Sequence, residues 1–153
     1  MKTLSGPAHP NATILLVDDN PHGLVARRTV LQELGYVVHT RLSGAEALEV
    51  FASQPVDLVI TDFRMPNMDG VELITRLRQL RAELPIILLS GFVEPLGLTE
   101  QSTGADVVLS KSAGEMGFLL RSVRRLLSRQ QPQRKAVESE GGVPQAKKAQ
   151  QAG

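Results

Sequence analysis

The sequence predicts an α/β fold in which a parallel sheet of five strands has helices on both faces. Five short runs of mostly Val, Ile and Leu have the length of buried strands, and they comprise residues 12–17, 36–40, 57–61, 85–90 and 105–109. Stretches with helix signals separate these runs. Strands joined by crossover helices run parallel, with right-handed connections and both sheet faces covered.

Capping signals support each helix in turn. Asn20 before Pro21 predicts the start of the first helix, and Gly35 predicts its end. Ser43 and Glu46 have capping-box spacing at the second helix. The later boundaries are predicted by Asp69 with Glu72, by Gly104, and by Ser112 with Glu115. The last helix carries an apolar stripe at spacings of three and four, formed by Met116, Leu119, Leu120, Val123, Leu126 and Leu127.

Composition restricts the class of protein. The 153 residues are 42% hydrophobic and 22% charged, which is typical of one globular domain. Residues 1–127 hold 12 basic and 14 acidic side chains, so a basic nucleic-acid-binding face is not predicted. The absence of Cys excludes disulfides and thiolate sites, and no apolar run approaches the ~20 residues of a membrane span. We therefore expect a cytoplasmic protein without nucleic-acid or membrane partners.

Three segments are predicted along the chain. Residues 1–11, with Gly6, Pro7 and Pro10, are expected to form a flexible leader. Residues 12–128 form the domain. Residues 129–153 are rich in Gln, Ala, Gly and Lys and lack apolar periodicity, so they are predicted to be a disordered basic tail.

Polar side chains follow four of the predicted strands at their carboxyl ends, where parallel α/β sheets place reactive groups. They are Asp18, Asp19, Asp62, Ser90 and Lys111. Carboxylates this close repel one another, and a hard cation such as Mg²⁺, which prefers oxygen ligands, relieves the repulsion. With the cation in place, Asp62 can attack phosphorus to form an aspartyl phosphate, while Lys111 and Ser90 contact the phosphoryl oxygens.

Each of these residues also has an ordinary structural interpretation. Asp18 and Asp19 are compatible with loop acids beside a helix cap, and Asp62 with a turn former. Ser90 is compatible with a strand terminator and Lys111 with a solvated lysine. Their joint position at successive strand ends favours a site.

Four motifs in the same order resemble the receiver domain of bacterial two-component response regulators, including single-domain regulators of the chemotaxis type. They are LLVDDN (15–20), TDFRMPNMDG (61–70), LPIILLSG (84–91) and GADVVLSK (104–111), and the resemblance covers residues 12–128. It implies a flavodoxin-like (βα)5 fold with strand order 2-1-3-4-5. It also implies a sensor histidine kinase or a histidine phosphotransfer protein as partner.

Site residues follow from the resemblance position by position. Asp62 matches the phosphoacceptor, and Asp19, Asp62 and the Arg64 backbone carbonyl match the direct Mg²⁺ ligands, with Asp18 acting through water. Ser90 matches the switch hydroxyl, and Lys111 the lysine that binds the phosphoryl group. We also predict that the Arg64 side chain covers the phosphoryl group and slows its hydrolysis.

Two positions depart from the family pattern. Val108 stands where the family has an aromatic residue that takes part in switching. Ser112 follows Lys111 where the family usually has a proline behind a cis peptide bond. Because a cis bond before a non-proline residue costs roughly 3 kcal/mol, we predict a trans bond and a capping role for Ser112.

The sequence therefore predicts a phosphoacceptor of a phosphorelay, with Mg²⁺-dependent phosphorylation of Asp62 and output through protein contacts, in a monomer or weak homodimer. It would phosphorylate and dephosphorylate itself rather than turn over substrate. One alternative is a degenerate receiver, an interaction module that is never phosphorylated. Another is an enzyme of the haloacid-dehalogenase type, but there a second Asp occupies the position of Arg64.

Overall fold

The fold is that of a computed structural model, which describes residues 9, 11–91 and 97–142, with side chains as far as residue 129. Most of the predicted leader and residues 143–153 of the predicted tail lie outside the described residues. In chain order the elements are β1 (Thr13–Val17), α1 (Pro21–Glu33), β2 (Val37–Arg41), α2 (Gly44–Ser53), β3 (Leu58–Asp62), α3 (Gly70–Leu80), β4 (Ile86–Ser90), α4 (Glu100–Thr103), β5 (Val107–Ser110) and α5 (Glu115–Gly142).

The five strands form one parallel sheet with the order β2-β1-β3-β4-β5, which confirms the predicted flavodoxin-like α/β class. Every strand begins and ends within two residues of its predicted bounds. The strand β3 ends one residue later than predicted, so Asp62 is its last residue and pairs with Leu89 of β4.

Two apolar cores lie on opposite faces of the sheet because successive strand residues point to opposite sides. Ile14 and Leu16 of β1 pack in the core that includes α1 and α5. Leu15 and Val17 of the same strand pack in the core that includes α2 and α3. No helix in the described part of the chain is long and apolar enough to cross a membrane.

Most capping predictions are confirmed. The Asn20 side chain accepts a hydrogen bond from the His22 N–H, and Asp69 accepts one from the Glu72 N–H. Gly104 ends α4 in the left-handed conformation, with φ of 83°. Ser43 caps α2 through the Glu46 N–H, but the Glu46 carboxylate accepts from the Leu42 N–H, one residue before the cap.

The start of the last helix differs from the prediction. The helix begins at Glu115, whose N–H donates to the Ser112 carbonyl, so the turn is closed by backbone. The predicted capping box of Ser112 and Glu115 is wrong, because both oxygens of the Glu115 carboxylate accept hydrogen bonds from Arg27. A charged donor from another element competes successfully with a local backbone N–H.

The last helix extends past the predicted domain boundary. Its backbone is helical as far as Gly142, which includes residues 129–142 of the predicted tail. That segment contains many Gln, Arg, Lys, Ala and Glu residues, which have high helix propensity, together with Pro132, Gly141 and Gly142, which have low helix propensity.

Candidate functional site

The five predicted site residues meet at the carboxyl edge of the sheet. Asp18 and Asp19 follow β1 directly, Asp62 and Ser90 end β3 and β4, and Lys111 follows β5. Because β3 is paired with β1 on one side and β4 on the other, Asp62 occupies the centre of this edge.

Distances show how closely the charges approach. Asp18, Asp19 and Asp62 each offer a carboxylate oxygen within 4.8 Å of the others. The Lys111 Nζ atom lies 2.5 Å from Asp62 Oδ1 and 3.7 Å from Asp18 Oδ2. The ammonium group therefore bridges two of the three carboxylates.

Two of the three carboxylates in the cluster are buried. Asp18 and Asp62 are 2% and 6% exposed, whereas Asp19 is open to solvent. Burial raises the pKa of Asp62 above its ordinary value, the hydrogen bond from Lys111 opposes that shift, and the charges of Asp18 and Asp19 add to it. The ammonium group of Lys111 alone does not return the pKa of Asp62 to its ordinary value, and a further cation would stabilise the ionised form.

The donor set fits a hard divalent cation. Three carboxylate oxygens converge on one point, and neither His nor Cys belongs to the group in the part of the chain that the structure describes. Oxygen-only coordination with an exposed side for water is what Mg²⁺ prefers.

An open depression of about 580 Å³ adjoins the cluster and is lined by Asp19, Phe63, Arg64, Met65, Pro66 and Asp69. This volume accommodates a phosphoryl group and several waters. Arg64 is exposed at its rim. Asp69 lines the depression too, but its side chain caps α3, as predicted.

Ser90 and Lys111 are held in register by backbone. The Lys111 N–H donates to the Ser90 carbonyl at 3.0 Å, which continues the β4–β5 ladder by one residue. Ser90 is only 1% exposed. Both residues are therefore fixed relative to Asp62 by the sheet itself.

The two departures have distinct local surroundings. Val108 packs against the core on the α3 side of the sheet, and its N–H donates to Glu100 Oε2 at 3.2 Å. The peptide bond between Lys111 and Ser112 is trans, as predicted, and the described residues contain no cis peptide bond.

Arg27 is a residue of this site that sequence reasoning missed. It lies on α1, is 8% exposed, and its NH1 atom donates to Asp18 Oδ2 at 3.2 Å. A signal was present in the sequence: Leu24, Arg27 and Leu31 are spaced by three and four, so the arginine occupies the buried stripe of the helix.

The response regulator receiver domain family model matches residues 14–124. With the sheet order and the acidic cluster, this match shows that the chain belongs to that family and is a receiver domain of two-component signalling.

The chain is similar to parts of longer curated proteins. The chain is 36% identical over 116 residues to the transcriptional regulatory protein GlrR of Escherichia coli K12, which covers 76% of this chain and 24% of that protein. It is 40% identical over 86 residues to the sensor kinase CckA of Brucella abortus, covering 55% and 9%. The chain thus spans about a quarter or less of the length of these relatives.

Solved structures agree with the fold. The response regulator TrrA of Thermotoga maritima, in complex with Mg²⁺ and BeF, is 34% identical with a TM-score of 0.68, covering 75% of this chain and 98% of that one. TrrA has also been solved in complex with the histidine kinase ThkA, where it is 35% identical with a TM-score of 0.68, covering 76% and 98%. The chemotaxis regulator CheY4 of Vibrio cholerae is 30% identical with a TM-score of 0.68, covering 76% and 98%.

Proposed function

We propose that the chain is a phosphoacceptor: Asp62 takes a phosphoryl group from a phosphohistidine of a sensor histidine kinase or a histidine phosphotransfer protein. The reaction requires Mg²⁺, and the output is a change in protein contacts. The observation that carries the proposal is the contact of 2.5 Å between Lys111 Nζ and Asp62 Oδ1 inside a cluster of three carboxylates.

In the transfer, an Asp62 carboxylate oxygen forms a bond to phosphorus while the P–N bond of the phosphohistidine breaks. The electron pair of that bond stays on the imidazole nitrogen. Asp62 is the natural nucleophile because it lies at the centre of the sheet edge, with Lys111 beside it to stabilise the charge on the transferring oxygens.

Asp19, Asp62 and the Arg64 carbonyl are the residues that would hold the ion, with Asp18 acting through water. Bound there, Mg²⁺ supplies positive charge to the carboxylates and to the phosphoryl oxygens. The oxygen donor set of this cluster and the Mg²⁺ in the TrrA complex support this part of the proposal. Ser90 would donate its hydroxyl proton to a phosphoryl oxygen.

The test is the intact mass of the chain after incubation with acetyl phosphate and Mg²⁺. We expect a gain of one phosphoryl group in the wild type and none in Asp62→Asn or after chelation of Mg²⁺. Asp69→Asn is the matched control because it lines the same depression while Asn still caps a helix, so it should gain the same mass.

Other outcomes favour the alternatives. A wild-type chain that gains no mass but still binds a histidine kinase would be the degenerate receiver, for which Val108 and Ser112 are the motivating departures. Turnover of small phosphate esters would indicate a phosphatase instead.

A further inference from the structure

A chain of ion pairs leads from the candidate site to the first residue of α5. It runs from Asp62 through Lys111 to Asp18, and from Asp18 through Arg27 to Glu115. The second half of this chain connects residues that are 88 positions apart in the sequence. Arg27 and Glu115 have no part in the phosphoryl transfer described above.

The Arg27 guanidinium group divides its donors between two carboxylates. Its Nε and NH2 atoms donate to the two oxygens of Glu115 at 2.7 and 3.0 Å, and NH1 donates to Asp18 Oδ2 at 3.2 Å. Glu115 receives the paired, shorter contacts, so it is the stronger partner.

The three side chains of this arrangement are largely buried. The exposed fraction of the side chains is 3% for Asp18, 10% for Arg27 and 12% for Glu115. Buried ion pairs are often no more stabilising than apolar residues of the same volume. Their contribution therefore lies in the side chains that they orient.

Arg27 limits the freedom of a cation-site carboxylate. Asp18 Oδ1 already accepts from the Asn20 N–H at 3.0 Å, and Oδ2 accepts from Arg27. Both oxygens are engaged, so the orientation of Asp18 is set by its protein partners. A cation at the cluster has to share Asp18 with the guanidinium group.

We propose that Arg27 and Glu115 are a positioning pair for the cation site, which couples cation binding to the start of α5. Glu115 holds the guanidinium group, so that Arg27 orients Asp18 without fully neutralising it. The inference rests on the proposed function in one respect, which is that Mg²⁺ binds at the carboxylate cluster.

The coupling has a definite direction. Without the charge of Glu115, the guanidinium group has Asp18 as its remaining carboxylate partner, binds it more strongly and competes with the cation. Coupling between two binding events is reciprocal. A bound cation therefore weakens the contact between Arg27 and Asp18 and leaves Arg27 with Glu115 in the first turn of α5.

Calorimetric titration with Mg²⁺ of the wild type, Glu115→Gln, Arg27→Met and the double variant tests the pair. We expect Glu115→Gln to weaken Mg²⁺ binding by roughly five-fold or more when Arg27 is present. In the Arg27→Met background the same substitution should change the affinity by less than about two-fold. Thermal unfolding of each variant establishes that it is folded.

A direct effect of charge through space would give the same factor in both backgrounds, and that result would overturn the positioning pair. A wild-type chain that binds no Mg²⁺ would overturn the proposed function and this inference with it. The two failures are therefore distinguishable.

A second measurement needs only the wild type, in case Arg27→Met does not fold. The NMR signal of the Arg27 Nε–H, which donates to Glu115, should shift as Mg²⁺ is added. The Nε–H of Arg78, which donates to the Gly104 carbonyl, is the control and should not shift. An unchanged Arg27 signal in a chain that binds Mg²⁺ would overturn the coupling.

Discussion

At the scale of single residues, the surroundings of Asp62 oppose the charge of its side chain. Its carboxylate is buried next to two other carboxylates, and Lys111 only partly compensates. The folded chain therefore holds the Asp62 proton to a higher pH than the unfolded chain, in which the group titrates near 3.8. This raised pKa costs stability once the pH exceeds the unfolded value, and the cost remains at neutral pH.

Asp62→Asn should therefore raise the free energy of unfolding of the metal-free chain at neutral pH, by on the order of 1 kcal/mol. The difference from the wild type should shrink toward zero as the pH falls below about 4, where the carboxyl is protonated in both states. Urea unfolding at several pH values in the presence of a chelator measures this difference. Equal or lower stability of the variant at pH 7 would contradict the electrostatic interpretation.

Lys111 is predicted to support phosphorylation more than folding, since its side chain is one-third exposed but contacts Asp62, the proposed nucleophile. Lys111→Ala should slow phosphorylation by acetyl phosphate on the order of 100-fold, the usual effect of removing one stabilising donor. A time course of intact mass measures the rate. Arg76→Ala removes a positive charge from an exposed pair on α3 and should leave the rate unchanged. A Lys111→Ala rate within two-fold of the wild type would refute the assigned role.

Arg64 is exposed beside the depression at Asp19, from which its side chain can cover a phosphoryl group. Arg64→Ala should shorten the lifetime of phosphorylated Asp62 several-fold, because water then has easier access to phosphorus. The loss of phosphoryl mass with time gives this lifetime. Arg121→Ala, on the exposed face of α5, serves as the control, and equal lifetimes for Arg64→Ala and the wild type would dispose of the prediction.

The site residues were largely predictable at this scale, and Arg27 was not. Asp18, Asp19, Asp62, Ser90 and Lys111 stand at strand ends, and strand ends can be found from local apolar runs. The partners of Arg27 come from another helix and from the loop after β1, which no local pattern relates to it.

At the scale of elements, the contact between the end of β3 and the start of α3 decides how Asp62 is presented. Gly70 is buried as the first residue of α3, and its N–H donates to the Phe63 carbonyl at 2.8 Å. A Cβ atom at this position would collide with the Asp62 carbonyl oxygen and the Phe63 Cα atom, neither of which can move independently of the backbone.

Gly70→Ala should therefore lower the free energy of unfolding by about 1–3 kcal/mol, the usual cost of overpacking. Gly117→Ala is the matched control: it lies on the exposed face of α5, where an added Cβ meets only Arg121 NH1 at 3.5 Å. Because Ala favours helix over Gly, that change should stabilise the chain by about 0.5–1 kcal/mol. Chemical denaturation measures both, and a Gly70→Ala chain as stable as the wild type would show that α3 can shift freely.

The start of a helix was predicted correctly where an adjacent residue caps it, as Asn20 does for α1 and Asp69 for α3. The prediction was wrong at the start of α5, since the Glu115 carboxylate has a stronger partner in Arg27 than in the local backbone.

At the scale of the whole molecule, the sheet separates two cores that should respond independently to substitution. Ile14 belongs to the core with α1 and α5, and Ile74 belongs to the core with α2 and α3; both are 0% exposed. Ile14→Val and Ile74→Val should each cost about 1 kcal/mol. Because the two cores share no side chain, the double variant should lose the sum within about 0.5 kcal/mol. A clearly larger deviation, measured by chemical denaturation, would show that the sheet transmits strain between its faces.

The sequence by itself determined the α/β class, the order of its elements and the five side chains at the sheet edge, since apolar periodicity, caps and strand ends are local properties. Only the tertiary structure decided the raised pKa of Asp62, the orientation of Asp18 and the partner of Glu115. These depend on burial and on contacts between residues far apart in the chain, such as Arg27 and Glu115. Such contacts exist only after the helices have packed on the sheet.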